Sequence, residues 1–559
     1  MRNGSCCSSR TAEPLLPSVF GVSGTRFLWS LVVAFSIASC SSDDSAGMGA
    51  DDSGFRAPPP ASPGAGAGDE PEASAAESAS EASAPGSEFE EEDQATVKLN
   101  PPTAAGRYVY VMDTALGAVA RIDSESLQVR PIRVGDRPTV LRTNPDRNAA
   151  VVLNAGDSTV SIITSEADRD DVRTVSVVRH ANSLALARDG RWAAAFYDNR
   201  IAERSDPIGS LQEVSLIDLD RARTYRLTAG FAPRAVRFTV DGERAVILSR
   251  GGLNVVHLAA VAEDMVLPFV SIDDEQPFEF EPEQVALDPT GELAVIRRTD
   301  ERPALYRVEL GSGAVSRISV DAPPSDVRIV PDGGEALVAL RTAGLLLRIA
   351  LDAPLDEESV DTIAVDDVPV GRIELLRDGR RVLLYSTIED VRRVAQLDLD
   401  SGSVRIHPLR KALRAVTATP HAERALVVHA PEAPVNVGSV EERALLEADA
   451  VSLLDLVTGY ARLLLLAHEP DAVVWSADDR HAFLLLPRSS PPSVEWIELG
   501  SMRSRTIRFD ERPENIGLVP LTNRIYVTLE SEGGRIAFID PATGEMATIA
   551  SYALNAFIE

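Results

Sequence analysis

The 559-residue chain contains few cysteines, lysines and aromatic residues. Three cysteines are too few for a disulfide framework, and aromatic residues make up only 5% of the chain. The lysines are limited to Lys98 and Lys411, so arginine carries nearly all the positive charge. With a formal net charge of −30, the chain lacks the basic surplus with which proteins neutralise nucleic-acid phosphates. We therefore expect no nucleic-acid partner.

Sequence motifs of catalysis and metal binding are also missing. The seven histidines form neither an HExxH nor a Cys-x-x-Cys-His pattern, and no Gly-x-Ser-x-Gly nucleophile elbow occurs. Each lone histidine is better explained as a structural residue of a strand or turn. The sequence therefore predicts no metal site and no cofactor. It assigns no catalytic residue and favours a non-enzymatic protein without deciding the question.

An apolar run near the N-terminus is too short for a membrane-spanning helix, which takes about 20 residues. Residues 27–39 (FLWSLVVAFSIAS) follow Arg26 and have the length of a signal-peptide h-region. The tetrapeptide IASC at 37–40 resembles the lipobox of bacterial lipoproteins. This resemblance implies that residues 1–39 are a lipoprotein signal peptide and that Cys40 is acylated. The alternative is an ordinary secretory signal that leaves Cys40 as a free thiol.

The residues after Cys40 predict where the mature protein is held. By resemblance to lipoprotein sorting, Ser41 implies the outer membrane, on its periplasmic or surface side, with acyl chains such as palmitate as a permanent anchor. Residues 40–100 are rich in Ser, Ala, Pro and Gly, and contain 14 acidic and two basic side chains. Such a composition buries too little apolar surface to fold, so we expect a disordered and extended tether.

Two short sequence pieces alternate from residue 107 onward. The first is a turn followed by an apolar strand, and the Asp-Gly pairs at these turns tolerate the positive φ angles of tight hairpins. It occurs nine times, starting at residues 144, 187, 239, 288, 330, 376, 419, 476 and 519. The second is a strand that runs into another turn. It occurs eight times, starting at residues 119, 214, 305, 346, 394, 451, 494 and 536.

Together the two pieces describe units of 42 to 57 residues with four strands each, which is the length of a propeller blade. The pattern resembles YVTN-type and WD-repeat-like β-propellers, most clearly at residues 107–127 and 524–550. The resemblance implies an all-β propeller over residues 101–559. A βα solenoid is disfavoured because the units show no helical periodicity.

The units number about ten, and the absence of a linker between two halves favours a single ring. Seven or eight blades, or two smaller rings, are the alternatives. The first unit lacks an opening strand, whereas the C-terminal residues 550–559 have the apolar pattern of one. We therefore predict that this C-terminal strand pairs in the first blade and closes the ring, which removes both free sheet edges.

Four long connections are predicted to share one face of the ring, and long loops on a rigid scaffold often carry function. They are residues 198–212, 273–283, 430–449 and 487–493. The second, hereafter the acidic connection, offers the candidate binding residues Asp273, Asp274, Glu275, Phe278, Glu279, Phe280 and Glu281. Its carboxylates suit calcium, but their order does not follow a calcium loop. Its phenylalanines suit either a partner protein or a plug in the ring.

These observations favour a lipid-anchored cell-envelope propeller that acts as a non-enzymatic binding or scaffold module. Its expected partners are the membrane, through the N-terminal lipid, and a protein or envelope ligand at the loop-rich face. The resemblance to YVTN-like lactonase propellers supports an alternative. In that alternative the protein is a hydrolase or lactonase, with a site of Arg, His and Glu side chains assembled near the ring axis.

Overall fold

The computed structural model of the protein describes residues 98–99 and the range 104–551. Within that range it leaves out residues 114–115, 204–205, 366–367, 389, 420, 422, 434–437 and 532–533. The predictions for the signal peptide, for Cys40 and for most of the tether fall outside the described residues. No helix in the described part is long and apolar enough to cross a membrane.

The described chain forms ten sheets of four consecutive antiparallel strands, so the all-β propeller and the count of ten blades are confirmed. Blade 1 consists of Ala104–Ala105, Tyr108–Asp113, Ala118–Asp123 and Val129–Arg133, and blade 2 of Pro138–Asn144, Ala149–Asn154, Thr159–Ser165 and Asp170–Ser176. Blade 3 consists of Ser183–Leu186, Trp192–Phe196, Glu213–Asp218 and Arg223–Thr228, and blade 4 of Pro233–Phe238, Arg244–Ser249, Gly252–His257 and Phe269–Ser271. Blade 5 consists of Val285–Leu287, Leu293–Arg298, Ala304–Glu309 and Val315–Ser319.

The second half of the chain repeats the same arrangement. Blade 6 consists of Asp326–Ile329, Glu335–Leu340, Leu345–Ala350 and Val360–Ala364, and blade 7 of Arg372–Leu375, Arg381–Tyr385, Arg393–Asp398 and Val404–Pro408. Blade 8 consists of Leu413–Ala418, Arg424–His429, Ala450–Asp455 and Ala461–Leu465, and blade 9 of Ala472–Trp475, His481–Leu486, Ser493–Glu498 and Arg503–Arg508. Blade 10 consists of Pro513–Leu518, Ile525–Leu529, Arg535–Ile539 and Met546–Ala550.

Two further strands pair in parallel with blade strands. Lys98–Leu99 pairs with the first strand of blade 9, and Met265–Val266 pairs with the fourth strand of blade 3. One α-helix, Val440–Glu447, lies in the long connection of blade 8. Short 3-10 helices occur at Leu258–Ala260, Pro282–Gln284, Arg341–Ala343 and Glu357–Ser359.

The turn between the first two strands of a blade is stabilised by local side chains. The Thr239 hydroxyl accepts a hydrogen bond from the Arg244 amide at 3.0 Å, and the Ser476 hydroxyl accepts one from His481 at the same distance. Gly190 adopts a φ of +67°, and a Cβ there would lie 2.8 Å from the side-chain nitrogen of Asn144 in blade 2. This turn therefore requires glycine both for its conformation and for its contact with the neighbouring blade.

The hydrophobic core lies between blades, because side chains alternate across each sheet and both faces are covered by neighbours. Ten apolar clusters are present, and each joins two adjacent blades. The cluster at the junction of blades 10 and 1 contains Val109 and Ile122 of blade 1 against Tyr526 and Phe538 of blade 10. Ten junctions for ten blades make a single closed ring, not two smaller rings.

The predicted closure by a C-terminal strand is not confirmed, because residues 552–559 lie outside the described part. The innermost strand of blade 1 is instead Ala104–Ala105, which the sequence pattern missed because it is only two residues long. Blades 10 and 1 also share polar contacts. The Leu521 amide donates to the Gly106 carbonyl at 2.9 Å, and the hydroxyls of Ser124 and Thr522 are 2.9 Å apart.

Candidate functional site

The first strand of each blade lines the ring axis, since the first strands of neighbouring blades contact one another. One position on these strands recurs in every blade: it lies two residues before the turn that joins the first and second strands. We call this set the axial level. Its members, from blade 1 to blade 10, are Ala104, Arg142, Ala185, Arg237, Ala286, Arg328, Glu374, Thr417, Val474 and Gly517.

Three arginines occupy the axial level in blades 2, 4 and 6, and alanines separate them in blades 3 and 5. Arg142 is exposed, while Arg237 and Arg328 are half-buried. Their neighbours on the strand, such as Val236 and Val327, are buried between blades. Their paired second-strand residues Val151, Val246 and Leu337 belong to the cores shared with blades 3, 5 and 7, so the three arginines lie at the axial edge of each sheet, on the face toward the next blade.

The arginines of the axial level differ in their partners. Arg237 donates to the carbonyl oxygens of Val285 at 2.5 Å and Pro282 at 2.6 Å, whereas Arg328 forms an ion pair with Asp326 at 3.0 Å. Among the described residues, Arg142 donates only to the carbonyl of the preceding residue, Leu141, at 3.3 Å. In the part of the chain that the structure describes, neither Arg142 nor Arg237 has a carboxylate within ion-pair distance. Within this part of the chain, both guanidinium groups therefore lack a carboxylate in direct contact.

The surroundings of the axial level affect its charge. Desolvation by the surrounding protein lowers the pKa of Arg142 and of Arg237. For Arg237 the nearby Glu283 carboxylate opposes this shift, and the charge of Arg328 adds to it. Burial also raises the pKa of Glu374 to about 7, an effect that Arg328 opposes and Asp326 increases. Glu374 is thus about half protonated at neutral pH. The level is positive although the whole chain has a net charge of −30.

A second polar group lies on the turns between the first and second strands of several blades. His421 Nδ1 contacts a carboxylate oxygen of Asp479, and the His421 backbone amide donates to the same oxygen at 2.5 Å. Burial raises the pKa of Asp479, while His421 and Arg377 oppose this shift. Burial lowers the pKa of Arg377, and Arg188 of blade 3 lowers it further. Charges from blades 3, 7, 8 and 9 therefore converge at this mouth of the ring.

The predicted acidic connection lies between blades 4 and 5, where its carboxylates meet arginines. Glu279 accepts a hydrogen bond from Arg234 at 2.8 Å and contacts Arg250. Glu281 accepts one from Arg234 at 2.9 Å and contacts Arg200. Because Arg200 belongs to the connection 198–212, the structure brings two of the four long connections together on one face.

The remaining residues of the acidic connection have different environments. Asp273 accepts hydrogen bonds from the Tyr306 hydroxyl and the Gln276 amide, each at 2.8 Å, whereas Asp274 and Glu275 are exposed.

The two phenylalanines of this connection pack toward blade 5. Phe280 is 1% exposed and belongs to the core between blades 4 and 5. Phe278 stacks on Tyr306 with ring centres 5.2 Å apart, and the Arg298 guanidinium lies 4.7 Å from its centre. A binding role for the acidic connection stays a prediction.

Other ionisable residues serve the fold. Burial lowers the pKa of His407 and of His429 to about 4, and their rings bond to Gln396 and Ser452. Lys411 is fully buried and donates to three carbonyl oxygens at the end of the helix Val440–Glu447. Within the described ranges, no three His, Cys, Asp or Glu side chains are placed to hold a metal ion.

The axial level was missed in the sequence because its members lie in different repeats. Each member lies two residues before the turn of its blade, so an alignment of the ten repeats would place the three arginines in one column. Along the chain each arginine directly follows an apolar residue, so it resembles the solvent-exposed position of an ordinary amphipathic strand.

No family model and no curated protein matches this chain. Among solved structures, it is similar to hydrazine synthase of Kuenenia stuttgartiensis, with 17% identity over 57% of this chain and 95% of that chain and a TM-score of 0.34. It is also similar to the dihydro-heme d1 dehydrogenase NirN, with 13% identity over 62% and 74% of the two chains and a TM-score of 0.38. A eukaryotic initiation factor matches at 9% identity over 72% and 96%, with a TM-score of 0.47. These similarities extend to the propeller fold alone.

Proposed function

We propose that this protein is a lipid-anchored, non-enzymatic binding module of the cell envelope, and that it binds an anionic ligand at the axial level. The observation that carries the proposal is the presence of Arg142 and Arg237 at the ring axis without a carboxylate partner in the described residues. Guanidinium groups bind carboxylates and phosphates through charge-assisted hydrogen bonds. A ligand that supplies such groups would pair both arginines.

The anchor is proposed from the sequence. The apolar run 27–39 and the lipobox-like end at Cys40 favour acylation, and Ser41 favours the outer membrane. The test is the intact mass of the mature protein purified from membranes, beside a Cys40→Ser variant. Acyl chains on the native protein and release of the variant into the soluble fraction would support the anchor. An unmodified native protein would contradict it.

Anion binding can be tested with a fluorescent hexaglutamate peptide as the probe. The double variant Arg142→Ala, Arg237→Ala removes both unpaired charges, and we expect the Kd to rise by about 100-fold, since hydrogen bonds to charged groups contribute about 1.5–3 kcal/mol each. The matched control is Arg503→Ala, Arg508→Ala on the outermost strand of blade 9, which changes the net charge equally. Equal loss of binding in both variants would contradict an axial site.

A second candidate function, hydrolysis, is favoured by the contact between His421 and Asp479 at a mouth of the ring. Asp479 would orient the imidazole, and the free Nε2 would accept a proton from a water molecule that attacks an ester or lactone carbonyl. The test is a panel of fluorogenic esters and lactones with the His421→Ala variant. Turnover by the native protein that the variant loses would favour the hydrolase over the binding module.

A further inference from the structure

We propose that the axial level binds a segment of its own chain, the acidic segment EFEEED at residues 88–93. The inference rests on the proposed function, because it requires the axial arginines to bind carboxylates. It assigns to the ring an internal ligand with which any external anion must compete.

The first support is the place where the described chain enters the ring. Lys98 and Leu99 pair in parallel with Ala472 and Val473 of the first strand of blade 9. The other edge of that strand is already paired with the second strand of its blade, so Lys98–Leu99 lies on the axial side. Lys98 therefore lies at the axial edge of blade 9, two strand positions from Val474 of the axial level.

The second support is the unequal cover of the axial level around the ring. Val474 of blade 9 is 0% exposed and Ala104 of blade 1 is 4% exposed. In contrast, Arg142 is exposed, and Arg237, Arg328, Glu374 and Thr417 are only half-buried. Lys98–Leu99 thus lies on the blade 9 side of the axis, whereas the more exposed members of the axial level, which include the arginines, lie in blades 2 to 8.

The third support is charge and reach. The acidic segment has five carboxylates in six residues and ends five residues before Lys98. Five residues span at most about 17 Å, so the acidic segment is within that reach of the axial edge of blade 9. Arg142 and Arg237 lack carboxylate partners among the described residues, and a tethered ligand has an effective concentration on the order of millimolar.

The experiment measures hexaglutamate binding to the full chain in three forms. One form is native; one has Glu88→Gln, Glu90→Gln, Glu91→Gln, Glu92→Gln and Asp93→Asn; the matched control has Asp51→Asn, Asp52→Asn, Asp69→Asn, Glu70→Gln and Glu72→Gln. If the acidic segment occupies the axial level, its neutralisation should lower the Kd for hexaglutamate at least tenfold. The control should change it less than twofold.

The outcomes separate the two proposals. Equal Kd values for the native and neutralised forms would overturn the internal ligand but leave the anion site in place. No hexaglutamate binding in any form, including the neutralised one, would overturn the anion site itself. In the neutralised background, Arg142→Ala with Arg237→Ala should abolish binding.

A direct measurement uses the scarcity of lysine in this chain. The variant Arg237→Lys introduces an amine into the axial level, beside only Lys98 and Lys411 in the native chain. Carbodiimide treatment should then join position 237 to a carboxylate of residues 88–93, as identified by mass spectrometry. Arg503→Lys on the outer strand is the control and should give no such product. Absence of the product at position 237 would count against the inference.

Discussion

The arginines that contact the acidic connection and those of the axial level differ in their partners: the former pair with carboxylates and the latter do not. Arg200 and Arg234 contact the carboxylates of Glu279 and Glu281, and Arg234 also donates to the Phe280 carbonyl at 2.6 Å. Arg142 and Arg237 have only backbone carbonyls as partners among the described residues. The first group holds two connections together, whereas the second has no carboxylate in direct contact among the described residues, which is why we propose it as the ligand site.

The comparison shows that charged residues clustered in a sequence can pair with oppositely charged residues in the fold, whereas charged residues spread over several repeats can remain without a carboxylate partner. The acidic connection is noticeable because its carboxylates are close together in the chain, yet the fold brings Arg200 of blade 3 and Arg234 and Arg250 of blade 4 to pair with two of them. The axial arginines are inconspicuous because each belongs to a different repeat. The four predictions that follow test this difference, from the largest expected effect to the smallest.

The largest effect is expected in the core that the acidic connection helps to form. Phe280→Ala should lower the free energy of unfolding by about 3–5 kcal/mol, because a fully buried aromatic side chain is replaced by a cavity. Urea denaturation measures this change. Phe231→Ala, at a side chain that is 48% exposed, is the control and should cost about 1 kcal/mol or less. Similar losses in both variants would show that the connection is not anchored as described.

A smaller loss of stability is expected when the buried Arg234, which contacts the acidic connection, is replaced. Arg234→Ala removes the partner of Glu279, Glu281 and a backbone carbonyl, and should cost about 2–3 kcal/mol. Arg142→Ala at the axial level should change the free energy of unfolding by no more than about 0.5 kcal/mol. The two variants should have the reverse order in hexaglutamate binding. If Arg142→Ala destabilises the fold as much as Arg234→Ala, the axial arginine is structural.

The pH dependence of the axial level follows from Glu374, whose pKa burial raises to about 7. The folded state then holds a proton that the unfolded state releases near pH 4.5, so the contribution of Glu374 to stability declines as the pH rises from about 4.5 to about 7 and is constant above. Protonation also removes a negative charge beside Arg328 and Asp326. Hexaglutamate binding should therefore tighten about threefold to tenfold as the pH falls from 8 to 6.

The control for this pH dependence is Glu374→Gln, which is neutral at every pH. It should bind hexaglutamate at pH 8 as tightly as the native protein does at pH 6. A variant that keeps the native pH profile would assign the titration to another group.

The smallest effect is expected for the exposed carboxylates of the acidic connection. Asp274→Asn and Glu275→Gln remove charges that are not buried, so each should change the free energy of unfolding by less than about 0.5 kcal/mol. Neither should alter hexaglutamate binding measurably. A clear change in hexaglutamate binding would indicate that the acidic connection contributes to the ligand site.

The blades were predictable because turn and strand chemistry repeat within the chain. A pair such as Asp-Gly, followed by an apolar strand, marks nine of the ten blades, and this marking supports the count of ten. The innermost strand of blade 1 was not predictable, because two alanines carry no pattern. The axial level was not predicted either, since it depends on which edge of each strand faces the axis and on partners brought from blades far apart in the chain.

Under the proposed lipid anchor, the entry of the chain at Lys98–Leu99 would determine how the ring is suspended. A ring held at its rim would tilt and turn one group of blades toward the surface that carries it. A ring held near its axis would experience little torque from a pull on the N-terminal chain, so the outer strands of all blades would have similar access to surrounding molecules.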